Sequence, residues 1–361
     1  MLNSIYSTVT TPCLIMEQEK ILEMLSVFVK HFGRESVFYA IKANSDIALL
    51  RLLNDNMANF EVSSCAELNV LHNMRIDGQR IISASPIKTK EFVKSAFKAG
   101  LNYFVADSVD EVRKIAAYAP SSSVVIRLTV SNKGSEWPLE RKFGVATRQA
   151  IELLEEAQRL ELATWGFSFH VGSQCNRPDT WKDAIRKVGF AWRIAEKKGI
   201  RLQGINIGGG FPIRYIHAVT AISEIAKIIF DSIKEEIPKV KTILVEPGRA
   251  LVGEAGTIVA TVIGKSIRNK ERWLYVDAGV FNALTEILGG IHYPIEAQKQ
   301  GKQYKWKVAG PTCDSMDIVS EQEWLPDLNI DDRVLFKSAG AYTTVYASTF
   351  NGYPIPPTIL I

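Results

Sequence analysis

The sequence is short of cysteine. Its 361 residues hold four, Cys13, Cys65, Cys175 and Cys313. None belongs to a Cys-x-x-Cys pair and none is grouped with histidine at zinc spacing, so no metal site is expected. Four scattered cysteines in a chain this long do not make a disulfide framework, which points to reduced thiols and a cytoplasmic protein. The segment from Met1 to Thr11 lacks a basic stretch followed by an apolar one, so no signal peptide is indicated. No uninterrupted apolar run reaches transmembrane length, and a soluble chain with no membrane partner is expected. Long runs of one charge are missing too. The formal net charge is +4 and the basic residues are dispersed, which argues against nucleic acid as a partner. What remains is a globular composition, 47% hydrophobic and 23% charged, with length enough for two cores.

Over the first two thirds of the chain, short apolar runs alternate with amphipathic helical stretches. Strands are read at Ser36–Ile41, Phe60–Val62, Arg80–Ala84, Asn102–Ala106, Val124–Leu128, Trp165–Val171, Gln203–Ile207 and Thr242–Glu246. Helices are read at Ile47–Asn54, from Cys65 onward, and at Lys88–Lys98, Ser108–Tyr118, Thr147–Leu160, Asp179–Lys198 and Ala218–Glu236. Ser108 is the expected N-cap of its helix. Roughly eight β-then-α units in succession, with seven helices read between eight strands, suggest a (β/α)8 TIM barrel rather than an open sheet. After Arg249 the character changes. Val252–Ile267, Arg272–Val276, Gln303–Val308 and Arg333–Phe336 read as strands between Gly, Asn, Asp and Pro turns, without long helices. The expectation is an α/β fold, a barrel over residues 16–250 followed by a mostly-β domain over 251–361.

In such a barrel the catalytic face lies at the C-terminal ends of the strands. Chemically able residues fall there repeatedly. Lys42 follows Ile41, Glu61 ends its strand, and Arg127 sits late in another. His170 falls near the end of Trp165–Val171, Gly208-Gly209-Gly210 follows Ile207, and Glu246 ends the last strand. Singly, each has a plain structural use: a loop lysine, a tight turn, a core histidine, an ion pair of Glu246 with Arg249. Together they suggest a site. A lysine desolvated near other cations can attack an aldehyde. Consecutive glycines let backbone N–H groups approach an anion, and late barrel loops are common phosphate sites. Arg249 suits a phosphate, Glu246 a protonated pyridine nitrogen, and His170 a flat ring.

Six motifs then appear in order: Tyr39-Ala40-Ile41-Lys42-Ala43-Asn44, Phe169-His170-Val171-Gly172-Ser173, Gly208-Gly209-Gly210-Phe211-Pro212, Glu246-Pro247-Gly248-Arg249, Gly310-Pro311-Thr312-Cys313-Asp314 and Gly340-Ala341-Tyr342. In these the chain resembles the ornithine/diaminopimelate decarboxylases, enzymes of pyridoxal 5'-phosphate (PLP) on an alanine-racemase-type barrel. The resemblance runs from Thr11-Pro12 to Pro354, and the ending Ala347–Gly352 is closer to ornithine decarboxylases. It implies PLP as cofactor, held as a Schiff base on Lys42. His170 would stack on the ring and Glu246 would pair with the pyridine nitrogen. Ser173, Gly209, Gly210, Gly248, Arg249 and Tyr342 would hold the phosphate. Glu61, Glu67 and Arg127 would form a polar shell near Lys42, with Glu61 standing where many members have aspartate. Cys313 would return a proton to Cα after CO2 leaves, a role suited to a tunable thiol. Asp314, Glu286 and Phe350 are the candidate substrate contacts. The resemblance also implies a homodimer in which Cys313 and Asp314 reach the partner's site, and a strand from residues 1–15 joining the β domain.

The substrate segment departs from the family pattern. In Asp277-Ala278-Gly279-Val280-Phe281-Asn282-Ala283-Leu284-Thr285-Glu286-Ile287-Leu288-Gly289-Gly290, the final glycines stand where ornithine decarboxylases have a Tyr-Asp pair. Thr285 stands where diaminopimelate decarboxylases have arginine, and Asp314 where they have glutamate. A basic diamino acid, ornithine or lysine, is the leading substrate, with Glu286 supplying a displaced carboxylate. The glycine pair leaves room for a larger, conjugated amino acid of siderophore or antibiotic pathways as an alternative, and diaminopimelate is a third. Other classes stay open at this point: an amino-acid racemase, a non-catalytic regulatory homologue, and a barrel that binds a sugar phosphate without PLP.

Overall fold

The computed structural model describes residues 2–139 and 141–361. The chain divides into two compact units. One comprises Leu22–Pro212 and Val219–Gly248; the other comprises the chain up to Ile21, Ile213–Ala218 and Arg249–Ile361.

The first unit is built on parallel strands. Phe38–Ala40, Asn59–Glu61 and Ile81–Ile82 form one arc. Tyr103–Ala106, Ser123–Arg127, Ala163–Ser168, Gly204–Asn206 and Thr242–Leu244 form the other. Two parallel bridges, Ser83 with Phe104 and Val37 with Val245, join the arcs into a ring. Phe38, Ile82, Tyr103, Val105, Val125 and Leu244 make one buried cluster. Five strands from around the ring contribute to it, so it lies inside the ring and fills the barrel as a core.

Helices connect these strands, and their caps explain where they start. Asp46 accepts N–H bonds from Ala48 and Leu49, and Ser64, Thr89 and Ser108 each cap the helix that follows. The expected Ser108 cap is present, accepting from the Glu111 N–H at 3.3 Å. Helix Thr147–Arg159 buries Ala150, Ile151, Leu153, Leu154 and Ala157, the apolar stripe of an amphipathic helix on a core. The strands are shorter than the apolar runs that announced them. Ser36–Ile41 reduces to Phe38–Ala40 because Ile41–Ala43 turns as a 3-10 helix. Trp165–Val171 becomes Ala163–Ser168, which leaves His170 two residues beyond the strand. The barrel is sealed by apolar residues in its loops as well as its strands, and a hydropathy pattern does not separate the two.

The second unit is a β structure. Its strand order is Ile295–Ala297, Arg333–Lys337, Gly256–Arg268, Glu271–Val276, Gln303–Ala309 and Ile318–Pro326. Cys13–Met16 pairs antiparallel with Gly256–Val259, and Thr358–Leu360 lies parallel beside it. The long strand Gly256–Arg268 slips register between Val262 and Gly264, a bulge that lets it pair with Arg333–Lys337 on one stretch and Glu271–Val276 on the next. Its start was read too early: Arg249–Val252 is a short helix. No helix among the described residues is long and apolar enough to cross a membrane.

Candidate active site

Parallel strands bring their C-terminal ends to one side, and Lys42, Glu61, Arg127, His170, Gly208 and Glu246 collect there. Glu61 and Arg127 are the last residues of their strands; Lys42, His170, Gly208 and Glu246 each lie two residues beyond theirs. Lys42 sits in the 3-10 turn Ile41–Ala43 with its side chain 45% exposed, and its Nζ is 3.5 Å from Glu61 Oε2. Glu61 is buried. Its Oε1 accepts from Ser63 Oγ at 3.1 Å and from the Ala84 N–H at 3.4 Å, while Oε2 has no hydrogen bond. Glu67 Oε2 takes the Ser63 N–H at 2.6 Å, and burial raises its pKa.

Glu246 is buried with a neutral donor beside it. Asn206 Nδ2 lies 2.5 Å from its Oε1. Burial, then the Glu61 charge, push the Glu246 carboxyl up to about 7, against the pull of Lys42, Asn206 and Arg127. His170 is driven well below the ordinary imidazole range by burial and by the charges of Arg127 and Lys42. It is therefore a neutral ring, with Nδ1 accepting the Gly172 N–H at 3.0 Å. Burial also lowers the Arg127 guanidinium, which lies over the Phe143 ring at 5.4 Å.

The glycines form a cradle that no side chain could share. A Cβ on Gly208 would come 2.6 Å from the Phe169 carbonyl oxygen, and one on Gly210 would come 2.3 Å from that of Gly172. On Gly209 it would meet the Glu246 carbonyl oxygen at 2.6 Å, with His170 Nε2 at 3.5 Å. Ser173, expected at the phosphate, opens the short strand Ser173–Cys175, and the Cys175 N–H donates to the Gly210 carbonyl at 2.9 Å. Gly248 is buried. These residues fit PLP. There is an amine within reach of a carboxylate, a buried carboxylate short of a cationic partner, a neutral imidazole, and bare backbone for an anion. A buried lysine, Lys88, is already committed. Its Nζ pairs with Glu111 at 2.9 Å and donates to the Val105 carbonyl at 2.6 Å.

Residues 18–253 match the family model of the pyridoxal-dependent decarboxylases, pyridoxal binding domain. The chain belongs to this family. Its cofactor is PLP, and it is a PLP-dependent amino-acid decarboxylase. It is 32% identical to the lysine/ornithine decarboxylase of Selenomonas ruminantium over 98% of this chain and 90% of that one. It superposes on SrLDC in complex with PLP and cadaverine with TM-score 0.92 and 31% identity, covering 100% of this chain and 93% of the other. Against the Paramecium bursaria Chlorella virus arginine decarboxylase bound to agmatine, the TM-score is 0.93 at 26% identity, covering 100% and 99%.

The decarboxylase's second unit carries the remaining expected residues. Arg249 Nη1 and Nη2 reach the two oxygens of Glu286 at 2.7 and 2.6 Å, and Nη1 donates to Tyr215 Oη at 2.5 Å. The guanidinium also lies over the Tyr342 ring at 4.8 Å. Burial works against its charge, but Tyr215, Glu286 and Tyr342 outweigh it and keep Arg249 protonated. Glu286 was expected as a displaced carboxylate for the substrate. That expectation is corrected: both its oxygens are engaged by Arg249 and the side chain is 3% exposed. Thr285 is turned inward too, donating to the Val280 carbonyl at 2.9 Å.

Cys313 is exposed, with Sγ and N–H both 3.1 Å from Asn351 Oδ1. Asp314 accepts the Met316 N–H at 2.8 Å, and Phe350 packs on Phe281 at 5.0 Å. The loop carrying Cys313 is fixed by Asp317, which takes the Val280 and Thr312 N–H groups at 2.7 and 2.9 Å. Sequence reasoning missed Asp317 and Asn206. Both are short polar residues beside a recognised motif, and only their burial marks them.

Proposed function

We propose that the decarboxylase acts on a basic diamino acid, L-lysine or L-ornithine, with PLP carried on Lys42. The names of its relatives support the substrate class. One observation carries the site assignment: Lys42 Nζ stands 3.5 Å from the unbonded oxygen of buried Glu61, at the strand ends where Glu246 is also buried. When bound, PLP supplies an electron sink into which the Cα–carboxylate bond can break. The chain's own residues do the rest. Lys42 anchors the cofactor, with Glu61 keeping its amine placed. Glu246, once ionised, would hold a proton on the pyridine nitrogen. Neutral His170 supports the ring without adding positive charge. The glycine loop receives the phosphate, and the resemblance adds Ser173, Gly248, Arg249 and Tyr342 to that end. Cys313 delivers the proton to Cα through its exposed Sγ, and Asp314 meets the distal ammonium. We further read the active form as a homodimer and, from four free thiols, the location as cytoplasmic.

A second reading has its own support. Glu286 and Thr285 are engaged internally, and Gly290 adopts φ +96 with nothing within 4 Å of a Cβ. The segment Thr285–Gly290 thus offers no free carboxylate, which favours a larger, conjugated amino acid. A CO2-release screen on the PLP-loaded protein decides. It would include lysine, ornithine, arginine, diaminopimelate and amide-conjugated diamino acids. Turnover of lysine or ornithine is expected. Turnover of the conjugates alone sinks the leading reading, and inversion at Cα without CO2 would indicate racemase chemistry.

A further inference from the structure

Asn206 ends the strand Gly204–Asn206 and is wholly buried. Its amide is used at three points. Nδ2 donates to Glu246 Oε1 at 2.5 Å and to Tyr103 Oη at 3.1 Å, while Oδ1 accepts the Gly208 N–H at 2.9 Å. The partners fix which way the amide faces. A backbone N–H only donates, so a flipped amide would oppose Gly208, and it would oppose the ionised Glu246 carboxylate as well. Gly208 holds φ +67 and has no side chain with which to lock itself. Glu246 faces Glu61, Lys42 and Arg127 from three other strand ends, and the amide is its hydrogen-bond donor among them.

We propose that Asn206 is a positioning residue that ties the two ends of the cofactor site together: its amide nitrogen fixes the Glu246 carboxylate, and its amide oxygen fixes the first residue of the glycine loop. The inference rests on the PLP reading above. Neither an aspartate nor an aliphatic side chain can perform both tasks. An ionised aspartate accepts from Gly208 but cannot donate to Glu246, and leucine does neither.

The two substitutions separate the tasks. Asn206→Asp and Asn206→Leu each remove the amide donor, so Glu246 becomes harder to ionise. The acid limb of the kcat–pH profile should move upward by about one unit in Asn206→Leu and by more in Asn206→Asp, whose carboxylate adds like charge beside Glu246, with KM little changed. Only Asn206→Leu loses the Gly208 contact. It alone should weaken binding of PLP, and of inorganic phosphate, to the apoenzyme, by about tenfold in cofactor fluorescence and phosphate titrations. A folded Asn206→Asp with an unmoved acid limb overturns the proposal, as does equal loss of PLP affinity in both variants. If Asn206→Leu does not fold, the aspartate variant still decides through its pH profile. Failure of the underlying PLP reading looks different, because the unmutated protein would then bind no PLP.

Discussion

Two buried glutamates, one in each unit, show how differently the same side chain can be used. Glu246 is 7% exposed and Glu286 is 3% exposed. Glu286 meets a guanidinium at two points and is electrostatically settled. Glu246 has a neutral amide at 2.5 Å and charges of both signs around it, and its proton affinity rises to about 7. Burial alone does not mark a functional carboxylate. What marks it is burial without full compensation, which leaves the group able to take a cationic partner that the protein itself does not supply.

The contrast can be broken in several places. The largest effect is expected at the barrel amine. Lys42→Ala should lower CO2 release on the order of 10⁴-fold and remove the cofactor's visible absorbance, as loss of an attacking group does elsewhere. Next comes the settled pair. Glu286→Ala strands a buried guanidinium and should cost ~3–5 kcal/mol in urea unfolding, with the double change Arg249→Met and Glu286→Leu recovering most of it. If Glu286→Ala instead left stability intact, the pair would not be the structural tie described.

Glu246 should behave in the opposite sense to a paired carboxylate. Its folded pKa is raised from 4.5 to about 7. Between those values the folded apoprotein keeps a proton that the unfolded chain has released. Stability therefore falls as pH rises through that window, by ~3 kcal/mol at most. Glu246→Gln should remove this component of the slope, measured as the urea midpoint against pH. The smallest effect belongs to neither glutamate. Ser108→Ala removes a helix cap at 3.3 Å and should cost ~1 kcal/mol while leaving PLP absorbance unchanged.

Much of the barrel could be read from the sequence, because its strands are continuous apolar runs and one of its helices announces its cap at Ser108. Strand ends were harder, since Ile41 and Phe169 are as buried as the strands they follow. In the β unit, Ile318–Pro326 escaped notice because Glu321, Gln322 and Glu323 interrupt its apolar pattern on a half-exposed sheet. At the site, motif residues announced Lys42, His170 and Glu246. Glu286 misled because its partner lies 37 positions away, and charge pairing at that separation leaves no local trace. Asn206 was silent for the same reason: its meaning lies in Glu246 and Tyr103, which only the closed ring brings within reach.

The central claim is that Lys42 carries the cofactor. Borohydride reduction of the PLP-loaded protein, followed by peptide mass mapping, tests it most directly. The account predicts a pyridoxyl-phosphate mass on the peptide containing Lys42 and on no other. A label on a different lysine, such as buried Lys88, or a reduced protein with no label, would contradict it.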